Sequence, residues 1–172
     1  MRTLRGISRK LVTAAAEKGL TIGVAESLTG GMITSALAGV PGASLVLTGG
    51  VVCYDSRVKS QLLGVSRDVI QGPGVVSEPC AKQMAVGVKR LLGTDITVSA
   101  TGLAGPGGGS RETPVGTVFL GLAWQGEPEA ARLSFRGGRQ AVRRKAARQA
   151  LWMMLEAVGR FDVALAKPHL EI

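Results

Sequence analysis

The feature that most limits what this chain can fold into is a polar interruption between two apolar runs, Val24-Ala25-Glu26-Ser27-Leu28-Thr29-Gly30-Gly31. The run before it, residues 21–25, is short and mostly apolar, as a buried strand is. The run after it, residues 32–38, reads as a helix. A strand feeding a helix through a polar turn sets that turn at the carboxyl edge of a sheet, where open α/β sheets bind ligands. The first helical turn leaves N–H groups without internal partners. Gly30 and Gly31 lack the Cβ atoms that would hold a ligand off. One stretch therefore combines a hydroxyl, a carboxylate and N–H donors, the equipment for attacking a carbonyl and holding the oxyanion that forms. Helix capping by Ser27 or Thr29 is the alternative use of these residues. From this stretch alone it ranks first.

The remaining residues supply the layers around that turn. Residues 4–18 set Leu4, Ile7, Leu11, Ala14 and Ala15 at helical spacing, with Lys18-Gly19 as the stop. Residues 44–54 are β-rich and split by Gly49-Gly50, where a bulge or bend is expected. Ser56 opens a short helix that carries Val58, Leu62 and Leu63 inward and ends at Gly64; residues 65–76 read as loop with one helical turn from Ser66. Ser77 caps a helix with Pro79 in its first turn and Ala81, Met84, Ala85, Val88 and Leu92 as the buried stripe. Residues 95–100 and 115–124 read as strands, and 130–135 as an antiparallel return. A basic helix over 140–158 turns Ala141, Ala147, Leu151, Met154 and Leu155 to the core, and 159–172 reads as a tail. With 172 residues and no internal repeat or boundary, the pattern predicts one domain of the α/β class. Its architecture is a three-layer α/β/α sandwich with a mixed, mostly parallel sheet of about five strands.

Composition narrows the chemistry. The only histidine, His169, falls in the tail, and Cys53 and Cys80 lack metal-ligand spacing. A Ser-His-Asp triad and a histidine zinc site are therefore not expected, and no metal or cofactor is. Ser27 then needs another base. Lys59, at the start of a helix that follows a strand, serves if burial or a neighbouring charge keeps its amine neutral. Tyr54 is placed to share that proton network or orient the amine. A solvated lysine and a core aromatic with a surface hydroxyl are the open alternatives.

Residues 101–110 hold five glycines and one proline between two strands. Backbone N–H groups of such a loop can cradle an anion, with Arg139 or Arg143 adding charge, or the glycines can serve only the turns. The 21 Lys and Arg against 12 Asp and Glu give +9, clustered over residues 2–10 and 132–148. Such a balance suits an anionic partner, although a basic helix face is more often simply solvated. Three Phe, two Trp and one Tyr leave little material for stacking single-stranded nucleic acid, so a nucleic-acid partner is not expected. No 18-residue apolar run exists, and the basic start lacks the apolar stretch of a signal peptide. A cytoplasmic protein with reduced thiols and no membrane partner is expected.

Taken together, Ala25 through Gly31, residues 54–59, Val76-Ser77-Glu78, residues 101–108, Pro114-Val115-Gly116-Thr117-Val118 and Phe135-Arg136-Gly137-Gly138-Arg139 with Val142-Arg143 resemble the CinA C-terminal domain family. The resemblance runs over residues 4–158. That family includes nicotinamide-nucleotide amidohydrolases, which convert nicotinamide mononucleotide to nicotinate mononucleotide and ammonia in pyridine nucleotide salvage. The resemblance implies a metal-free amidase in which Ser27 attacks the carboxamide carbon. Lys59 takes its proton and later helps ammonia leave, with Tyr54 in the same network. It implies an oxyanion hole from N–H groups near Gly30 and Gly31. The glycine loop (Gly102, Gly105, Gly107, Gly108) and Arg143 would hold the ribose phosphate, and Glu26, Thr29, Thr101 and Arg139 complete the substrate-binding set. Ser56 stands where the family often has Asn, and Thr113 where it often has Lys. Fused members carry an additional N-terminal domain, which this chain is expected to lack; a homo-oligomer is expected. Two further readings stand beside the amidase: a non-catalytic nucleotide-binding module of the same fold, and a basic nucleic-acid-binding protein.

Overall fold

In the computed structural model, which describes residues 3–165, the strand–turn–helix unit sits inside a five-stranded sheet rather than at its margin. The elements are α1 (Leu4–Glu17), β1 (Ile22–Glu26), α2 (Met32–Ala38), β2 (Leu47–Val52), α3 (Ser56–Leu63), α4 (Arg67–Gln71), α5 (Glu78–Leu92), β3 (Ile96–Gly102), β4 (Thr117–Ala123), β5 (Glu129–Ser134) and α6 (Arg139–Arg160). Short 3-10 turns cover Ala43–Leu45 and Val163–Leu165. The strand order is β2-β1-β3-β4-β5. β1 pairs in parallel with β2 and β3, whereas β3–β4 and β4–β5 are antiparallel, so β4 alone runs against the other four. This is the mixed, mostly parallel α/β/α arrangement that the element pattern predicts.

Alternation along the strands divides the core in two. Ile22 and Val24 of β1, with Ile96, Val98 and Ala100 of β3, face the layer made by α1, α2 and α6. Ala25 faces the other layer, where it joins Cys53, Leu63, Cys80, Met84 and Val88. On that second face β3 presents hydroxyls instead of apolar groups. Thr97 Oγ1 donates to the Ala85 carbonyl (2.7 Å), Ser99 Oγ to that of Ala81 (2.6 Å) and Thr101 Oγ1 to that of Val75 (2.6 Å). Each buried hydroxyl thus finds an acceptor on α5 or in the segment leading to it. Gly121 on the adjacent β4 completes the close approach, since a Cβ there would overlap the Ala81 carbonyl oxygen.

Several local expectations change in the folded chain. β2 runs unbroken through Gly49-Gly50, and the irregularity lies one residue earlier: Ile22 pairs with Leu47 but Gly23 with Gly49, leaving Thr48 extra. Leu45 belongs to the preceding 3-10 turn and is 75% exposed. In α3 the inward positions are Lys59 and Leu63, four apart, while Leu62 turns out to solvent. On α6 the buried face carries Val142 and Ala146 rather than Ala141, and Leu155 is only half-buried. α6 continues to Arg160, past the expected start of the tail; residues 166–172, with His169, lie outside the described residues. Among the described residues no helix is long and apolar enough to cross a membrane.

Candidate active site

Glu26, the last residue of β1, is fully buried and turns back under the helix that follows. Its Oε2 accepts from the N–H groups of Gly31 (3.0 Å) and Ile33 (3.1 Å), and its Oε1 from the N–H (2.8 Å) and hydroxyl (2.7 Å) of Thr34. The residue preceding α2, Gly31, supplies no side-chain cap. Glu26 does so across the turn, placing negative charge where the helix leaves N–H groups unpaired. Ser27 and Thr29 therefore do not cap α2, and Glu26 holds the turn together rather than reaching for a substrate. Gly30 (φ +58°) and Gly31 (φ +90°) supply the left-handed backbone that the turn requires.

This wiring moves the expected oxyanion donors. The Gly31 N–H is bound to Glu26, and the Gly30 N–H donates to the Ser27 carbonyl at 3.1 Å. Neither is free for a ligand. Among the described residues, the N–H groups of Leu28 and Thr29, directly after the serine, are in no hydrogen bond. The Thr29 side chain is buried with its Oγ1 unpartnered.

The serine faces the lysine. Lys59 is 1% exposed, and its Nζ lies 3.1 Å from Ser27 Oγ, 2.8 Å from the Cys53 carbonyl and 3.2 Å from the Tyr54 carbonyl. The Cys53 N–H donates to the Glu26 carbonyl (2.8 Å), tying the end of β2 to the end of β1. Asp55 then caps α3 by accepting the Arg57 N–H at 2.7 Å. That N–H holds the exposed Asp55 carboxyl below its usual range. The first turn of α3 so carries Lys59 beneath the sheet edge. Among the described residues Lys59 forms no salt bridge. Its Nζ donates to both carbonyls and to the serine hydroxyl, filling its three donor positions. Tyr54 joins this network through its backbone only: its phenol is 61% exposed and accepts from Arg139 Nη2 at 2.8 Å. Burial pushes the Cys53 thiol up and that of Cys80 up to about 11, so neither offers a competing thiolate at neutral pH.

Ser27 and Lys59 open into a cavity of about 240 Å³. Thr101, Gly102, Gly105 and Gly107 line it, and so does Arg139. Arg139 spans the mouth, donating through Nη1 to the Gly105 carbonyl (2.8 Å) and through Nη2 to Tyr54. The N–H groups of Ala104, Gly105 and Gly107 have no partner among the described residues. The Thr101 hydroxyl is committed to Val75, so it fixes the wall instead of offering a free donor. Glu26, Thr29, Gly30, Gly31, Gly108 and Arg143 do not line the cavity. Arg143 lies behind the serine turn, where its Nε donates to the Leu28 carbonyl (2.9 Å), its Nη2 to that of Thr29 (2.8 Å) and its Nη1 to Gln140 Oε1 (3.2 Å). All three of its nitrogens are engaged there, away from the cavity. Sequence reasoning missed the apolar wall of Val75, Val76 and Leu103; the valine pair just before the capping Ser77 was its available sign.

The sequence model of the CinA C-terminal domain matches residues 4–158 of this chain. The chain belongs to the CinA C-terminal domain family. A CinA-like protein of Thermotoga maritima is 47% identical to it over 131 residues, covering 76% of this chain and 32% of that protein. A CinA-like protein of Dictyoglomus turgidum is 45% identical over 133 residues, covering 77% and 32%. The chain thus spans about a third of the length of these curated relatives. Among solved structures, the competence/damage inducible protein CihA from Agrobacterium tumefaciens superposes with a TM-score of 0.87 at 36% identity, covering 91% of this chain and 95% of that one. The competence damage-inducible protein A (ComA) from Klebsiella pneumoniae superposes with a TM-score of 0.89 at 31% identity, covering 93% and 99%. The CinA architecture is therefore shared over nearly the whole described chain, including the strand–turn–helix that carries Ser27.

Proposed function

We propose that this CinA domain is a serine amidohydrolase that converts nicotinamide mononucleotide to nicotinate mononucleotide and ammonia. The observation that carries the reading is the 3.1 Å contact between Ser27 Oγ and the buried Lys59 Nζ on the floor of the cavity. Ser27 Oγ bonds to the carboxamide carbon while its proton passes to the Lys59 amine, acting as the base. The carbonyl oxygen becomes an oxyanion and takes the free N–H group of Leu28, the residue after the serine that lines the cavity. The tetrahedral species collapses with cleavage of the C–N bond, and Lys59 returns the proton to the departing nitrogen, which leaves as ammonia. Water then attacks the seryl ester, giving a proton to Lys59; the ester C–O bond breaks and Ser27 recovers its proton. The carboxylic acid ionises on release. The unpartnered N–H groups of the glycine loop, with Arg139 at the rim, suit the nucleotide phosphate.

Ammonia release from nicotinamide mononucleotide by purified protein, with chelator present, tests the reading. Wild type is expected to turn over, Ser27→Ala to lose roughly 10³-fold or more, and Lys59→Met roughly 10²- to 10⁴-fold, each with an unchanged circular dichroism spectrum. Wild-type rates in both variants would sink the mechanism. Saturable nucleotide binding without product in the wild type would make the domain a binding module instead.

A further inference from the structure

The contacts of Arg143 suit a task other than holding substrate. Its Nε and Nη2 reach across more than a hundred residues to two consecutive carbonyls, those of Leu28 and Thr29, at 2.9 and 2.8 Å. Gly30 eases the approach, because a Cβ there would stand a tight 3.2 Å from Nη2. In a trans peptide the N–H points away from the carbonyl of the same plane. The Leu28 carbonyl shares its plane with the Thr29 N–H, which is unpartnered. Arg143 therefore fixes the plane that joins Leu28 to the buried Thr29, and with it the residue whose own free N–H borders the cavity, Leu28. The Thr29 carbonyl shares its plane with the Gly30 N–H, which closes the turn onto the Ser27 carbonyl. One guanidinium so fixes two successive planes immediately after the serine.

We propose that Arg143 is a positioning residue, holding the turn over residues 28–30 so that the free N–H of Leu28 meets the oxyanion formed when Ser27 attacks, and that it makes no contact with the substrate phosphate. The inference rests on the amide-hydrolysis reading above for its substrate. It is tested without one, by the rate at which a neutral alkyl fluorophosphonate labels Ser27. In that step Ser27 Oγ bonds to phosphorus, its proton passes to Lys59 and fluoride leaves, while charge builds on the phosphoryl oxygen. The probe carries no ionised phosphate, so an anion-binding arginine has nothing to hold on it.

Arg143→Ala is expected to slow labelling by roughly tenfold or more. With nicotinamide mononucleotide it is expected to lower kcat by a similar factor while KM stays within about twofold. Arg143→Lys, which keeps the charge but cannot hold both carbonyls in one plane, is expected to fall between. Added ethylguanidinium is expected to restore part of the loss in the alanine variant. Labelling at the wild-type rate overturns the proposal, as does a raised KM with unchanged kcat. Should the alanine variant fail to fold, the lysine variant decides, and wild-type labelling there overturns the proposal equally. A wild type that is labelled but releases no ammonia removes the amidase reading while the labelling comparison still decides the role of Arg143. A wild type that is never labelled at Ser27 overturns the proposal too.

Discussion

Four donors converge on the two carboxylate oxygens of Glu26, and three of them are the N–H groups of Gly31, Ile33 and Thr34. Glu26→Ala would leave these in a buried setting without acceptors, a loss of about 3 kcal/mol. Glu26→Gln keeps one acceptor but turns an amide NH₂ against the remaining donors, so about half that loss is expected. Urea unfolding of both variants checks the order; equal stability with wild type would mean that α2 holds its start by other means. The buried thiols make a second prediction. Burial carries Cys80 from an ordinary 9.0 up to about 11 and raises Cys53 as well. Between those values the folded chain keeps a proton that the unfolded chain releases, so the stabilisation is complete below pH 9 and lost as pH rises toward 11. Unfolding midpoints should fall across that window, and Cys80→Ala should flatten the fall; an unchanged slope in the variant would assign the alkaline loss to other groups. At this scale the pairing of Ser27 with Lys59 was legible, because the lack of a usable histidine left lysine as the available base. The tasks of Glu26 and Arg143 were not. Both act on backbone groups, which carry no residue signature, and arginine beside a glycine loop reads more readily as a phosphate ligand.

Elements explain why Lys59 is where it is. α3 is only eight residues long, so its apolar pattern does not fix a phase: of the residues read as inward, Leu62 turns to solvent and Val58 is only partly buried. Tertiary packing selects Lys59 and Leu63 instead, because the ends of β1 and β2 offer Nζ two carbonyls and a hydroxyl. A sequence pattern that scores lysine as polar cannot show this. The hydroxyl row of Thr97, Ser99 and Thr101 was hidden for the same reason: its acceptors are carbonyls on another element. That row brings α5 close enough that Gly121 has no room for a side chain. Gly121→Ala should cost about 3 kcal/mol by forcing α5 off the sheet. Gly126→Ala is the control: its φ of +86° carries a backbone penalty of about 1 kcal/mol, but nothing lies within 4 Å of the added Cβ. Denaturant midpoints separate the two, and equal losses would mean that backbone conformation, not close packing, keeps glycine at 121.

For the molecule as a whole, the strand order puts β1 between β2 and β3, so the end of β1 meets residues from three segments of the chain at one edge. Alternating apolar strands and amphipathic helices were enough to foresee those layers. Charge is the property that the layers do not organise. The chain carries +9, yet among the described residues only three salt bridges form, and each involves partly exposed side chains. Exposed pairs of that kind contribute little, so most of the excess positive charge is left to repel itself across the surface. Salt screens such repulsion: the Debye length falls from about 30 Å at 10 mM to about 10 Å at 100 mM. Thermal unfolding should therefore shift upward by roughly 2–4 °C, the equivalent of about 1 kcal/mol for a chain of this size, on going from 10 to 200 mM sodium chloride. The same screening weakens the attraction of an anionic nucleotide to Arg139 at the cavity rim. KM for nicotinamide mononucleotide should rise with salt while kcat holds, since the Ser27–Lys59 pair lies buried beyond the reach of added ions. A kcat that falls in step with the rise in KM would place the salt-sensitive contact in the chemical step rather than in capture of the substrate.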